Sequence, residues 1–206
     1  MNDMRNSKLA IKWALPILLK PGNLKKIYES NHDKYDLYED LIKEKIAPDD
    51  LQFSSDCKEV YQLIKSSYPR YVGAKLKDTI AGRNATLIGN LIKLNDVEIK
   101  VLTLLSLFNQ HGILRSTESF YNNLGKSEFI KIISEVIKAS EKSVAKALSD
   151  TGKLISSRLI VLSSSRERFS QKYEFPNGFD EFLCDEIKTE EQMISCFIHP
   201  VSKSYL

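Results

Sequence analysis

Residues 129–175 read FIKIISEVIKASEKSVAKALSDTGKLISSRLIVLSSSRERFSQKYEF, and their order of periods decides the fold. Phe129, Ile130, Ile133 and Ile137 form one apolar helical stripe. Lys138-Ala139 makes a tight junction, and Ser140 stands as the N-cap of a second helix with Val144 and Leu148 four apart. Gly152 stops that helix. Arg158 to Ser163 then reads as a strand, Ser164 to Ser170 as a polar turn, and Gln171 to Phe175 as the returning strand.

Helix, turn, helix and hairpin in that order are the layout of a winged helix-turn-helix, which sets its second helix in a nucleic-acid groove. Glu141, Lys142, Ser143, Lys146 and Ser149 would project outward from that helix. Lys142, Lys146, Lys153, Arg158, Arg166, Arg168 and Lys172 supply cations, with Arg166 and Arg168 at the wing tip, and the hydroxyl of Ser143 adds a phosphate donor. Glu141, Asp150 and Glu167 dilute the charge. The second helix carries no Arg, Asn or Gln, the side chains suited to bidentate base reading, so contact is expected mainly with phosphates.

Upstream, the chain reads as helices. Leu9, Trp13, Ile17 and Leu18 share a face, with Pro16 as a kink or early stop. Pro21-Gly22-Asn23 is a turn. One or two amphipathic helices fill residues 24–46, burying Ile27, Tyr35, Tyr38, Leu41, Ile42 and Ile46. Asp56 caps a helix carrying Val60, Leu63 and Ile64, which ends at Tyr68-Pro69. Residues 74–93 are weaker helix, interrupted by Gly82 and Gly89. Asn95-x-x-Glu98 opens a helix whose Ile99, Leu102, Leu105 and Phe108 face the core and which Gly112 closes; residues 113–126 are loop or a short helix. The expected class is mainly α with a small β-hairpin: a helical N-terminal region over 1–93, a winged helix-turn-helix-like unit over 94–175, and an acidic helical arm over 176–206.

Of 206 residues, 42% are hydrophobic and 28% charged, the balance of a globular chain with a real core. The net charge of +3 is uneven. Residues 1–93 hold 16 basic against 12 acidic side chains, residues 94–175 hold 12 against 9, and residues 176–206 hold 2 against 6. Three distant cysteines (Cys57, Cys184, Cys196) make no disulfide framework and fit a reducing cytoplasm. The apolar run Leu9–Leu19 is interrupted by Lys12 and Pro16, lacks a cleavage site and falls short of the ~20 residues that span a bilayer. Cytoplasmic residence without membrane contact is the expectation.

Motifs for catalysis are thin. Gly125-Lys126-Ser127 resembles the end of a P-loop, but position 120 is Phe where that loop needs glycine. Cys196-x-x-His199 with Cys184 offers three zinc ligands and no fourth, so the cysteines read as apolar fillers. His32 and His111 read as surface or cap residues. Adjacent acids such as Glu39/Asp40, Asp49/Asp50 and Glu190/Glu191 read as solvated faces. Tyr28, Tyr35, Tyr38, Tyr61, Tyr68 and Tyr71 lie among lysines, a composition that can stack bases but more often marks a core edge. No enzyme activity, cofactor or metal is expected.

Three features together resemble one family: the Leu9–Leu19 segment, the winged stretch ending in Ser156-Ser157-Arg158-Leu159-Ile160-Val161-Leu162, and the tail Phe175-Pro176-Asn177-Gly178-Phe179-Asp180-Glu181-Phe182-Leu183. Their order is similar to the region preceding the motor of certain bacterial AAA+ ATPases. The resemblance implies a standalone or truncated front end with no ATPase activity of its own, since no Walker motif or arginine finger is present. It also implies that the acidic arm is a connector, whose Met193, Phe197 and Ile198 dock on a protein partner. Two functions follow as expectations: a non-catalytic protein holding double-stranded DNA by its phosphates, or a protein-interaction adaptor.

Overall fold

A computed structural model describes residues 4–29, 31–51, 56–117, 120, 126–163, 172–187 and 191–192. The protein is mainly α-helical with one small antiparallel hairpin. Helices α1 (Met4–Leu18), α2 (Asn23–Glu29), α3 (Asn31–Lys43), α4 (Cys57–Ser67), α5 (Ile80–Ile92), α6 (Asp96–Gln110) and α7 (Gly112–Arg115) precede the quoted stretch. Within and after it come α8 (Lys126–Ile137), α9 (Glu141–Ala147), α10 (Lys153–Ser156), β1 (Val161–Leu162), β2 (Tyr173–Glu174) and α11 (Phe179–Cys184).

Helix α6 is the axis of the molecule. Its start is a reciprocal capping box: Val97 and Glu98 donate their backbone N–H to Asn95 Oδ1 at 2.9 and 3.1 Å, and the Asn95 N–H donates to Glu98 Oε2 at 2.8 Å. From Val101 to Phe108 every residue is buried, not the single stripe that the spacing predicts. A helix enclosed on all sides needs no polar face. Thr103 and Ser106 are tolerated inside because their hydroxyls donate back to the carbonyls of Ile99 and Thr103. Around α6 pack α5 and α11 on one part of its surface, α8 and α9 on another, and α1 and α7 beyond.

Helix α1 is also buried almost all round, with Leu9, Ala10, Ile11, Trp13, Ala14, Leu15, Ile17 and Leu18 enclosed. Pro16 sits inside it without ending it. Helix α5 likewise runs unbroken through Gly82 and Gly89, where an interruption was expected. Both glycines are close-approach points. A Cβ on Gly82 would stand 2.1 Å from the Leu76 carbonyl oxygen, and one on Gly89 would stand 2.8 Å from the Ile99 side chain.

Other departures have local causes. Gly112 opens α7 instead of closing α6, after a break at the extended residue His111. Tyr35 is 60% exposed where burial was expected, while Tyr38 of the same helix is buried and its hydroxyl lies 2.8 Å from that of Tyr28. The predicted strand from Arg158 shrinks to Val161–Leu162, because α10 and a left-handed Arg158 occupy the residues before it. The register pairs Val161 with Glu174 and Leu162 with Tyr173.

One continuous buried cluster joins Leu9 of α1 to Leu183 of α11. Packing therefore crosses both positions, 93/94 and 175/176, where the composition changes. The acidic stretch enters the core as well: Phe179 and Leu183 are buried, and Asp180 Oδ2 accepts hydrogen bonds from Asn109 at 3.0 Å and Gln110 at 3.4 Å. Among the described residues no helix is long and apolar enough to cross a membrane.

Candidate nucleic-acid interface

Helices α8 and α9 pack on each other and on α6. The α8 stripe of Phe129, Ile130, Ile133 and Ile137 is buried as its spacing predicts. Ser140 caps α9, accepting the Ser143 N–H at 3.2 Å. Val144, Ala147 and Leu148 turn inward. On the opposite face, one turn apart, Lys142 and Lys146 are exposed, with Glu141 exposed beside them.

The other predicted contact residues are placed differently from one another. Ser143 is half-buried and its hydroxyl lies 2.8 Å from that of Ser140, so it belongs to the cap. Lys153 is exposed, but its ammonium donates to the carbonyl of Lys93, beyond the end of α5. There it complements the negative end of that helix. Arg158 is exposed in the turn after α10, and Lys172 is half-buried beside β2 with its carbonyl accepting the Ser163 N–H at 3.1 Å. Arg166 and Arg168, the expected wing tip, lie outside the described residues. The structure thus brings Lys142 and Lys146 onto one solvent face and directs Lys153 and Ser143 to structural partners.

The hairpin is anchored to α8 through Tyr173, which stacks on Phe129 with ring centroids 6.0 Å apart. Burial raises the Tyr173 phenol above its usual range. On β1, Val161 and Leu162 are 44% and 42% exposed.

A polar cleft of about 110 Å³ lies where α3 meets α7. Asp40, Lys43, Glu44, His111 and Arg115 line it. His111 is only 7% exposed, contrary to a surface reading, and it stands as the residue that caps the end of α6 and the start of α7. Burial, and then the charges of Lys43 and Arg115, push its pKa down to about 4, so the ring is neutral near pH 7. Burial acts on Glu44 in the other sense and raises its carboxyl. The Asp40 carboxylate lies over the first residue of α7, where a Cβ on Gly112 would meet Oδ2 at 2.2 Å. Among the described residues no serine, threonine or cysteine lines this cleft, and the Ser7 hydroxyl hydrogen-bonds the Glu44 carboxyl at its edge. Among the described residues no group of three His, Cys, Asp or Glu is placed to hold a metal ion. His32 and the Cys196-x-x-His199 pair fall outside what is described of side chains.

Comparison with protein-family models, curated proteins and solved structures finds no match to this chain.

Proposed function

We propose that this chain is a non-catalytic winged-helix binding module that contacts double-stranded DNA mainly through the phosphate backbone. The observation that carries this reading is the exposed pair Lys142 and Lys146 on the outer face of α9, whose inner face is locked into the core by Val144 and Ala147. A lysine pair without Arg, Asn or Gln neutralises phosphates but does not discriminate bases. Fluorescence anisotropy with labelled duplexes at several salt concentrations tests it. Binding that falls steeply with salt and is lost in Lys142→Glu/Lys146→Glu supports the reading. Absence of duplex binding at low salt removes it.

A second reading, a protein-interaction adaptor akin to the front end of an AAA+ ATPase, is favoured by the hairpin. Val161 and Leu162 expose an apolar edge to solvent, a surface suited to a protein contact. The distinguishing variant is Val161→Asp/Leu162→Asp, which abolishes partner capture and spares DNA binding under this reading. Deleting residues 179–206 is no clean test of the arm, because it also removes Phe179 and Leu183 from the core. Truncation after Ile187 keeps both and removes Met193, Phe197 and Ile198, which lie outside the described residues.

A further inference from the structure

A cleft of about 290 Å³ opens between α1 and the segment that joins α4 to α5, far in sequence from α9. Lys8 of α1, Arg70 of the 3-10 turn after α4, and Lys75 line it, and all three are exposed. Asp78 is the single acid in the lining among the described residues. Among the described residues, Lys8, Arg70 and Lys75 enter no ion pair or side-chain hydrogen bond. A fourth cation, Lys12, is half-buried behind the loop, where its ammonium donates to the Ala74 carbonyl and ties that loop to α1. Burial, and then the charge of Lys138, lower the Lys12 pKa.

Like charges drawn from α1 and from the connection between α4 and α5 repel one another, and a single rim acid does not balance them. The loop itself adds donors. Among the described residues, the backbone N–H groups of Gly73 and Lys75 have no protein acceptor. A Cβ on Gly73 would meet nothing within 4 Å, so a ligand can approach this backbone closely. Fixed N–H groups combined with Lys and Arg suit the tetrahedral oxygens of phosphate.

We propose that this cleft binds a phosphate group, held by Lys8, Arg70 and Lys75 and by the backbone N–H groups of Gly73 and Lys75. The phosphate belongs either to a free phosphoanion or to a nucleic-acid backbone, and the site stands whether or not α9 touches DNA. The test is a ¹H–¹⁵N titration of the full chain with inorganic pyrophosphate and, separately, with a short DNA duplex. Pyrophosphate is expected to shift the Gly73 and Lys75 amides, and Arg70→Glu/Lys75→Glu to weaken that binding at least tenfold. Lys131→Glu, an exposed position on α8, leaves it unchanged. Shifts produced by the duplex alone, with the same loss in the double variant, assign the phosphate to nucleic acid and also support the site. Lys8→Glu, on a different element, is the independent reversal should the double variant fail to fold. The proposal is overturned if neither probe moves these amides, or if the shifts persist undiminished in the variants, which means an adventitious ion only.

Discussion

Asn84, buried in α5, donates its side-chain amide to the carbonyl of Leu183 at 3.0 Å and also to that of Asp185 at 2.8 Å. A second buried asparagine does parallel work: Asn6 of α1 accepts the Ala81 N–H at 3.1 Å and donates to the Cys184 carbonyl at 3.4 Å. These side chains stitch the acidic stretch to the helices beneath it. Replacing Asn84 by alanine leaves two carbonyls without that donor. The expected loss is about 1–3 kcal/mol, read as a lower urea midpoint together with faster proteolysis within residues 176–187. An unchanged midpoint would mean that the stretch is held by its apolar contacts alone.

His111 gives the fold an acid sensitivity. The neutral ring is favoured in the folded state, with its pKa near 4 against 6.5 when unfolded. Between those values the unfolded chain binds more protons, so stability is full above about pH 6.5 and declines as pH falls toward 4. Lys43 and Arg115 sharpen the effect, and the raised Glu44 carboxyl opposes it. The full contribution is at most about 3 kcal/mol. Urea titrations at pH 7 and pH 4.5 are expected to show a smaller pH difference for His111→Gln than for the native chain.

Gly82 is a point of contact between backbones. A methyl group there meets the Leu76 carbonyl oxygen at 2.1 Å and Thr79 Oγ1 at 2.7 Å, and neither is the end of a flexible side chain. Gly82→Ala is expected to cost about 1–3 kcal/mol by pushing the turn before α5 away from the helix. Because that turn adjoins the phosphate cleft, the same variant is expected to weaken pyrophosphate binding. Calorimetric melting and titration of one sample check both effects.

Much of the fold is legible where local chemistry and burial agree. Asn95 and Glu98 announce a helix start by spacing alone, and Ser140 and Asp56 do so by residue type. The α8 stripe is equally plain. What the pattern hides is enclosure: α1 and α6 are covered on faces that no periodicity distinguishes, since the partners come from α5, α7, α8 and α11. Gly82 and Gly89 read as interruptions because a close approach by Leu76 or Ile99 leaves no trace in the adjacent sequence. Lys142 and Lys146 could be named in advance from their place on the helix. The cleft of Lys8, Arg70 and Lys75 could not, because folding alone brings those segments together.

All four non-glycine residues with positive φ among the described residues are basic, Lys45, Lys93, Lys138 and Arg158, and each follows a helix. The next N–H in each case reaches back five residues, from Ile46 to Leu41, Leu94 to Gly89, Ala139 to Ser134 and Leu159 to Leu154. These are Schellman endings in which a cation near the helix C-terminus partly offsets the strain of a left-handed side chain. Lys138 also repels Lys12. Lys138→Gly is expected to stabilise by up to about 1 kcal/mol, and Lys138→Val to destabilise by a similar amount. Equal melting temperatures for the two variants would refute the strain argument.

The two lysines of α9 set a quantitative expectation for DNA. Each phosphate contact contributes roughly 0.9 to the slope of log affinity against log salt. Removing Lys142 and Lys146 together by alanine is therefore expected to reduce that slope by about 1.8, the sum of two such contacts. Lys153→Ala should change it far less, because its ammonium is already engaged by the Lys93 carbonyl. A duplex of scrambled sequence should bind as tightly as any other, since no Arg, Asn or Gln stands on α9 to read a base edge. Anisotropy titrations across a salt series measure both quantities. A slope unaltered by the double alanine variant would move the contact away from α9.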